Sequence, residues 1–405
     1  MTTRGGDALA DARTAPPPSS TREHVVRCTI VAVLLTLAVG LLSAALFLRH
    51  RLAHPRDTGD LEAVIDKEAA RHVRADATHA LVIGVFKDGA AFVKGYGTTS
   101  AAVNTPPDGA TVFQIASLSK LFTASTMQIL ADEGVLGTDT TLGEAIGDIA
   151  ELSPAARAIT LRQLATHTSG FPRVPQVLVD EATAAAGETD LMLDPYVHLE
   201  PERMFAYLAN ADDMGASGSF DYSNFGMGLL GHVMEHVTGE DLETLVTEKL
   251  LAPLGMADTA ITLAPSLTER LAQGHDKGGA PVRIWTFTAL AGAGAFASTV
   301  DDLLTYVAAN VAGEGALAGT LAKMRAPQPG GKSCIGWMQP TFLDRLAGNR
   351  TAVWHNGMVG GYASYLSVDA ASGTGVVMLS SRALDLTMLG TMLTRRVRTQ
   401  SRSSR

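Results

Sequence analysis

Paired apolar runs separated by short turn sequences lie near both ends of the folded part of this chain. Residues 80–86 and 90–96 flank Asp88-Gly89, a dipeptide that accepts the positive φ angles of a tight hairpin turn. Residues 362–368 and 375–380 flank a second, Gly-rich turn. The pattern predicts one antiparallel hairpin at each end. Because residues 80–86 are apolar at every position, we expect the sheet to be covered on both faces.

Helical spacing, with apolar residues three and four positions apart, dominates the rest of the chain. One such segment precedes the first hairpin at 60–74, and another follows the second at 384–397. Five more lie between the hairpins, at 117–133, 160–166, 201–210, 224–238 and 240–252. The sequence therefore predicts an α+β fold, in which an antiparallel sheet is flanked by N- and C-terminal helices and a mostly helical lobe, about 117–284, is inserted.

An uncharged stretch of 21 residues runs from Cys28 to Leu48. A helix of this length crosses a hydrocarbon core of about 30 Å, so we predict a single-pass membrane anchor at 25–48. A cleaved signal peptide and a buried core helix remain alternatives, and the balanced flanking charges leave the orientation open. The other predicted regions are a disordered tail at 1–24, a linker at 49–59, a folded domain at 60–398 and a second disordered tail at 399–405.

Composition excludes several classes of protein. A chain of 405 residues with 46% hydrophobic and 18% charged residues is not a disordered protein. A net charge of −9 offers no electrostatic footprint for nucleic acid, and we expect no such partner. The two cysteines, Cys28 and Cys334, cannot form a disulfide framework, and we expect Cys334 to be a small buried residue. Gly292-Ala-Gly294 lacks the third glycine of a dinucleotide fingerprint, so it does not indicate a dinucleotide site. We expect no cofactor.

Ser117 and Lys120 stand three residues apart at the start of a predicted helix, so their side chains share one face. The positive end of the helix dipole and the apolar neighbours Leu118, Leu121 and Phe122 disfavour the ammonium form of the lysine. Both effects favour proton transfer by Lys120, and backbone N–H groups at the helix start could stabilise an acyl oxygen. On this pair alone, a helix-capping serine followed by an exposed lysine remains an alternative.

Two further polar clusters accompany the pair. Tyr222-Ser-Asn224 opens another predicted helix, and the stretch from His355 to Met358 leads into the second hairpin. Ser-x-x-Lys, Tyr-Ser-Asn and His-Asn-Gly, in this order, resemble the three motifs of the serine β-lactamase and penicillin-binding protein superfamily. The likeness is greatest to its branch of class C β-lactamases, D-Ala-D-Ala carboxypeptidases and related esterases. Further segments typical of that branch are Thr-His-Thr-Ser-Gly at 166–170, Pro-Leu-Gly-Met at 253–256 and a Gly-rich stretch at 290–302.

The resemblance implies a serine acyl-transfer hydrolase with the β-lactamase/transpeptidase fold. Ser117 would form the acyl-enzyme, Lys120 would help take its proton, and Tyr222 would relay that proton to the leaving group. Lys120 is also the expected cation that lowers the pKa of the Tyr222 phenol. The oxyanion hole would be the N–H groups of Ser117 and Met358. The substrate-binding residues implied by the likeness are Asn224, which would also position Lys120, with His355, Asn356, Gly357 and Met358.

The expected substrate is a small molecule or a peptidoglycan-derived compound, namely a β-lactam, a D-Ala-type amide or an ester, with residues 172–200 as a loop that shapes the pocket. His355 replaces the lysine of class C β-lactamases. Imidazole is mostly neutral at pH 7, so we expect weak or pH-dependent capture of anionic β-lactams. The superfamily's substrates place the domain outside the cytoplasmic membrane, periplasmic or extracellular. A membrane-anchored sensor that is acylated once without turnover remains an alternative.

Two histidine motifs raise other possibilities. His232-Val-Met-Glu235-His236 fits a zinc-peptidase pattern, in which His232 and His236 would hold the metal. The competing interpretation is an ordinary amphipathic helix, and we expect no metal site. His167 in the Thr-His-Thr-Ser-Gly segment is expected to be a loop residue that bonds backbone and not a catalyst.

Overall fold

The computed structural model describes residues 34–35, 61–72, 79–100, 105–211, 213–329, 332–346 and 349–399. The chain divides into two compact units, Met1–His54 and Pro55–Arg405, and the elements described here belong to the second. The predicted anchor at 25–48 lies outside the described residues apart from Leu34 and Leu35, and the predicted tails and linker do so apart from Thr399. Within the described ranges, no helix has the length and apolar character needed to cross a membrane.

Five antiparallel strands form the central sheet, in the order β2-β1-β9-β8-β7. Its strands are β1 (Ala80–Lys87), β2 (Ala90–Gly97), β7 (Val353–Met358), β8 (Ala363–Asp369) and β9 (Thr374–Ser380). Two short pairs lie outside it, β3 (Phe113–Gln114) with β6 (Ala297–Ser298) and β4 (Gly274–His275) with β5 (Pro281–Val282). Asp88 and Gly89 take φ values of 51° and 82° at the tip of the first hairpin. Both predicted hairpins are confirmed, and the two ends of the domain meet where β1 pairs with β9.

The helices lie before, between and after the strands. In chain order they are α1 (Leu61–His72), a 3₁₀ turn (Ala116–Leu118), α2 (Ser119–Asp132), α3 (Leu142–Ala145), α4 (Pro154–Arg157), α5 (Leu161–Ala165), α6 (Gln176–Leu193), α7 (Pro201–Leu208), α8 (Asn224–Thr238), α9 (Leu242–Val246), a π turn (Thr247–Leu251), α10 (Ala252–Leu254), α11 (Pro265–Thr268), α12 (Ala291–Gly294), α13 (Val300–Ala312), α14 (Ala318–Arg325), α15 (Phe342–Leu346) and α16 (Thr387–Thr399).

Both faces of the sheet are covered, as the apolar β1 run predicts. On one face, Ile65 of α1 and Leu393 of α16 join an apolar cluster with side chains of β1, β8 and β9. On the other face, α13 lies against β1, where a side chain on Gly84 would come within 2.6 Å of Val300. The α+β architecture, with terminal helices flanking an antiparallel sheet, is therefore confirmed.

The long helix α2 runs through the interior of the helical part. All of its residues from Ser119 to Leu130 are buried, and Phe122 packs edge-on against Phe296 and Tyr306, with ring centroids 5.5 and 5.7 Å apart. The hydroxyl of Ser364 on β8 donates to the carbonyl oxygen of Ile115 at 2.7 Å. This bond holds the start of α2 against the sheet beside its edge strand β7.

One predicted element differs from the structure. Residues 172–200, expected to be a loop, contain the 18-residue helix α6. The helix expected over 240–252 runs without a gap from Leu242 to Leu254, with a π turn before Pro253, which lacks the N–H that a regular turn requires. The Gly-rich stretch that leads into the second hairpin is the strand β7, which pairs with β8 on one side and bridges Met338 on the other.

Candidate active site

The serine of the first motif lies on a strained turn. Ala116 has a φ of 51°, in the left-handed region that residues with a side chain rarely occupy. The hydroxyl of Ser119 stabilises the turn by donating to the carbonyl oxygen of Ala116 at 2.7 Å, and it accepts from the N–H of Phe296 at 3.1 Å. Ala116 and Leu118 are buried, whereas Ser117 between them is partly exposed. The turn thus presents the serine hydroxyl to an open site.

The amine of Lys120 is buried directly behind Ser117. It donates to the hydroxyl oxygen of Ser117 at 3.0 Å and to the carbonyl oxygen of Ala293 on α12 at 2.6 Å. The side chain has no exposed surface. Burial lowers the pKa of Lys120 well below its ordinary value, and the charge of Arg173 lowers it further. A neutral amine in this place can accept the proton of Ser117.

The phenol of Tyr222 adjoins the same hydroxyl. Burial raises the pKa of Tyr222 to about 12, although its hydrogen bond with the Ser117 side chain and the charge of Arg173 act in the opposite direction. The expectation that Lys120 lowers the pKa of this phenol is therefore wrong, because the buried amine gives up its own charge. Tyr222 is a neutral phenol in the resting site, able to donate a proton.

The Lys120 amine, the Arg173 guanidinium and two imidazole rings surround Tyr222. The Lys120 amine lies 5.0 Å and the Arg173 guanidinium 5.3 Å from the centroid of its ring. The His167 ring lies 4.4 Å away, centroid to centroid, and that of His355 6.1 Å away. These contacts fix the ring, so the phenol position relative to Ser117 is set before any substrate arrives.

His167 holds the segment that carries Tyr222. Its Nδ1 accepts a hydrogen bond from the N–H of Ser223 at 3.2 Å, and its carbonyl oxygen accepts one from the N–H of Asp221 at 2.8 Å. The predicted role, bonding backbone within a loop, is confirmed. The sequence did not indicate its second role, packing against the ring of Tyr222. Burial and nearby positive charges lower the pKa of His167 well below its ordinary value.

Asn224 lies in the site, but its contacts differ from those expected. Its amide Nδ2 donates to the hydroxyl of Tyr196 at 3.1 Å, and its Oδ1 is buried without a partner. The described bonds of the Lys120 amine go to Ser117 and to Ala293. The backbone carbonyl of Ala293, in the Gly-rich segment, therefore positions the lysine. The resemblance had assigned this role to Asn224. A backbone ligand of this kind has no signature in the residue type.

The His-Asn-Gly motif forms the outer edge of the sheet. Successive side chains of a strand point to opposite faces, so His355 and Gly357 share the face toward Ser117. The amide of Asn356 donates to Thr387 at 2.7 Å, on the face covered by α16. The prediction that Asn356 binds substrate thus does not hold for its side chain, because the alternation of the strand turns that side chain away.

Gly357 lets the edge strand approach Ser117 closely. A Cβ on Gly357 would lie 2.8 Å from the backbone nitrogen of Ser117 and 2.7 Å from the carbonyl oxygen of Ile115. Trp354 exchanges both backbone hydrogen bonds with Met338 across the outer edge of β7, so the N–H of Met358, four residues on, also points outward. That the N–H groups of Ser117 and Met358 form one oxyanion hole stays a prediction, which the close approach of Gly357 to the Ser117 nitrogen supports.

His355 is buried and uncharged. Its Nδ1 donates to the carbonyl oxygen of Asn356 at 2.7 Å, and its Nε2 has no partner. Burial lowers the pKa of His355 to about 3. A pH-dependent capture of anions by this imidazole between pH 5 and 8, which the sequence led us to expect, has no basis in this geometry.

The residues of the zinc-peptidase pattern are used in protein contacts. His232 contacts Glu235 through Nδ1 at 2.7 Å and the carbonyl oxygen of Ala289 through Nε2 at 2.9 Å, while His236 contacts Asp148 at 3.2 Å. Cys334 is buried, as expected, and burial raises the pKa of its thiol to about 12. Within the described ranges, no group of three or more His, Cys, Asp or Glu side chains is gathered as metal ligands would be.

Comparisons with known proteins agree with the motifs. A sequence model of the family described as Beta-lactamase matches residues 65–397. A Beta-lactamase from Pseudomonas fluorescens is 27% identical over 62% of this chain and 65% of its own length. The D-alanyl-D-alanine-carboxypeptidase/endopeptidase AmpH of Escherichia coli (strain K12) is 28% identical over 60% of each chain. The chain thus spans less than two thirds of the length of these curated relatives.

Solved structures show the same fold. A Beta-Lactamase/D-Alanine Carboxypeptidase from Pseudomonas syringae superposes with a TM-score of 0.71 at 22% identity, over 84% of this chain and 99% of that one. A class C beta lactamase from Rhodobacter sphaeroides gives a TM-score of 0.67 at 21% identity, over 84% and 97% of the two chains. At these identities the likeness concerns the fold alone.

Proposed function

Since the chain belongs to the Beta-lactamase family, we propose that it is a serine acyl-transfer hydrolase in which Ser117 forms a covalent acyl-enzyme. The observation that carries the proposal is the 3.0 Å hydrogen bond between the amine of Lys120 and the hydroxyl of Ser117, made by a lysine with no exposed surface. A lysine whose pKa is lowered by burial accepts a proton at neutral pH, which an exposed ammonium cannot do.

In the acylation step, the Ser117 oxygen attacks the substrate carbonyl carbon while the Lys120 amine takes the serine proton. Tyr222, a protonated phenol beside the same hydroxyl, donates its proton to the leaving nitrogen or oxygen as the bond to the carbonyl carbon breaks. Lys120 then returns a proton to the Tyr222 oxygen. In the second step water attacks the acyl carbon, its proton passes to the same amine, and the Ser117 oxygen leaves with a proton.

Two backbone N–H groups are suited to the negative oxygen that develops in both steps. They belong to Ser117 and Met358, and the room that Gly357 leaves beside the Ser117 nitrogen supports this pairing. A donor in this role contributes about 3 kcal/mol of transition-state stabilisation. Because strain at Ala116 fixes one of these groups and the sheet edge fixes the other, the pair needs no rearrangement when charge appears.

The proposed substrate is a β-lactam, a D-Ala-type amide or an ester. The names of the two curated relatives, a beta-lactamase and a D-alanyl-D-alanine carboxypeptidase/endopeptidase, support the first two classes. Parallel assays on nitrocefin, a D-Ala-D-Ala peptide and a p-nitrophenyl ester test the proposal. We expect multiple turnover of at least one compound and loss of that activity in Ser117→Ala. Activity that survives Ser117→Ala would overturn it, and a lasting adduct without product release would favour the single-use sensor.

We also propose that the apolar stretch 28–48 anchors the chain in the cytoplasmic membrane, with the folded domain outside. Support comes from the uncharged length of that stretch and from the cell-wall type of substrate proposed. Alkaline extraction of membranes, combined with protease treatment of intact spheroplasts, tests both parts. We expect the full chain to remain in the membrane and the domain to be cleaved from outside. Release by alkali, or protection in intact cells, would contradict this placement.

A further inference from the structure

The His-Asn-Gly motif has His355 at the position where class C β-lactamases carry a lysine, and this imidazole is uncharged. His355 is buried; its Nδ1 donates to the carbonyl oxygen of Asn356, and its Nε2 has no hydrogen-bond partner among the described residues. Lys120 is buried as well and serves Ser117. A substrate with a carboxylate therefore needs a positive charge from some other residue in order to be held in the site.

Arg173 places such a charge beside Tyr222. Its carbonyl oxygen accepts hydrogen bonds from the N–H groups of Asn224 and Phe225 at 2.9 and 3.0 Å, so its main chain is tied to the start of α8. Its side chain is exposed, and the guanidinium carbon lies 5.3 Å from the centroid of the Tyr222 ring. The backbone anchor and the ring contact together hold a permanent cation at the solvent side of the catalytic groups.

The hydrogen-bond donors of this guanidinium remain available. None of the ion pairs among the described residues uses Arg173, although other arginines, such as Arg162, Arg270 and Arg395, pair with carboxylates. A cation–π contact uses the charge of the guanidinium and leaves N–H groups in its plane free. A planar guanidinium matches the two oxygens of a carboxylate, which makes it better suited to such a ligand than a lysine.

We propose that Arg173 binds a carboxylate of the substrate, so that this hydrolase acts on carboxylate-bearing esters, amides or β-lactams. The inference rests on the proposed acyl transfer at Ser117 and adds the substrate class. Arg173 contacts the Tyr222 ring, so a carboxylate bound to its guanidinium would lie beside the catalytic phenol.

A second effect of Arg173 must be separated from this one. Its charge also lowers the pKa of Lys120 and opposes the raised pKa of Tyr222. Loss of that effect would slow every substrate equally. Loss of a carboxylate contact would slow only substrates that carry the carboxylate, so matched pairs of charged and neutral compounds distinguish the two.

The experiment uses two pairs of esters. One pair differs in the leaving group, the 3-carboxyphenyl and 3-carbamoylphenyl esters of phenylacetylglycine, and the other in the acyl group, p-nitrophenyl hydrogen adipate and p-nitrophenyl adipamate. We expect Arg173→Gln to lower kcat/KM for the charged member of at least one pair by about 10- to 100-fold more than for its neutral partner. Arg173→Lys should recover part of the loss.

Lys332 provides a matched control, because it is also exposed and its amine lies 5.6 Å from the ring centroid of Phe220, two residues before Tyr222. Lys332→Gln should leave the ratio between charged and neutral esters unchanged. Equal losses for both members of both pairs in Arg173→Gln, no loss at all, or a selective loss in Lys332→Gln in place of Arg173→Gln would overturn the proposal.

A binding measurement separates this inference from the proposed activity. If no ester is turned over, the proposed function fails, and calorimetric titration then decides the role of Arg173. The probes are the 3-carboxyanilide and 3-carbamoylanilide of phenylacetylglycine, titrated into Ser117→Ala with and without Arg173→Gln. Tighter binding of the acid, lost in Arg173→Gln, supports the proposal. Equal affinity for acid and carbamoyl compounds, or an acid affinity unchanged by the substitution, overturns it.

Discussion

The amine of Lys120 donates a 3.0 Å hydrogen bond to the hydroxyl oxygen of Ser117 from a position with no exposed surface. The position gives the amine its reactivity, because burial disfavours its charged form. The same amine in water would be an ammonium ion and could only donate protons. The strained turn at Ala116 and the carbonyl of Ala293 hold the two groups in this arrangement.

Lys120 is expected to act as a base and not as a fixed charge. Lys120→Met should lower kcat/KM by about 10²- to 10⁴-fold, because it removes the amine that hydrogen-bonds the Ser117 hydroxyl. Lys120→Arg should lose as much, since a guanidinium stays protonated. Steady-state kinetics on the most reactive ester, with circular dichroism to confirm folding, measure this. Near-normal activity in a folded Lys120→Arg protein would show that charge alone suffices. Lys249→Met, a surface lysine paired with Glu133, serves as the control.

Tyr222 is expected to donate a proton in the chemical step. Tyr222→Phe keeps the ring and its packing against His167 but removes the hydroxyl, so kcat should fall by about 10²- to 10⁴-fold with a smaller change in KM. Tyr362→Phe removes another buried hydroxyl, one that donates to Ala272 at 2.8 Å, and should leave kcat nearly unchanged. A Tyr222→Phe protein with normal kcat for both esters and amides would exclude this role.

The resting phenol should stay protonated far into the alkaline range. Because the pKa of Tyr222 is raised to about 12, its phenolate form should be absent below about pH 10. Ultraviolet difference titration of the wild type and of Tyr222→Phe isolates the phenolate band of this residue. A band that titrates near neutral pH and disappears in Tyr222→Phe would contradict the assignment of Tyr222 as the acid.

Gly357 should be required for its small size. In Gly357→Ala the new Cβ would stand 2.8 Å from the Ser117 nitrogen and 2.5 Å from the hydroxyl oxygen of Ser364, so either the edge strand or the 3₁₀ turn must move. We expect kcat/KM to fall at least 10-fold and Tm to decrease. Gly319→Ala in α14, where the added Cβ meets nothing within 4 Å, should keep full activity and tend to raise Tm. Equal behaviour of the two variants would contradict the crowding described here.

The buried imidazole of His355 should make the protein sensitive to acid. Its pKa falls from 6.5 when unfolded to about 3 when folded, so the unfolded state binds more protons between these values. This contribution to the free energy of unfolding is fully present above about pH 6.5 and is lost as the pH falls toward 3. His355→Gln should therefore show a shallower decrease of stability over this range, measured by urea unfolding at several pH values. Parallel pH dependences in wild type and His355→Gln would contradict the burial argument.

Much of the fold follows from local patterns. The hairpins at Asp88-Gly89 and Gly373, and the helix Asn224–Thr238, are predicted because turn residues and apolar periodicity act within a few residues. Residues 172–200, predicted to be a pocket-shaping loop, instead contain the helix Gln176–Leu193.

The three catalytic side chains were predicted from the sequence, whereas two backbone features that position them were missed. Ser117, Lys120 and Tyr222 come together as the motifs predict. The carbonyl of Ala293, which binds the lysine, and the left-handed φ of Ala116 have no signature in residue type, because they arise from the packing of distant segments. The alternation of side chains along β7 turns Asn356 toward Thr387. The direction of this side chain depends on the register of the strand, which the motif alone does not give. Arg173 was missed because its closeness to Tyr222 depends on the turn into α8.

The most direct test of the account is time-resolved intact-mass measurement during turnover of a neutral aryl ester. The account predicts a mass increase equal to the acyl group that maps to Ser117, forms and decays at rates consistent with kcat, and is absent in Ser117→Ala. Steady hydrolysis with the same rate in Ser117→Ala, or an acyl group attached to a different residue, would contradict the central claim that Ser117, deprotonated by Lys120, is the nucleophile.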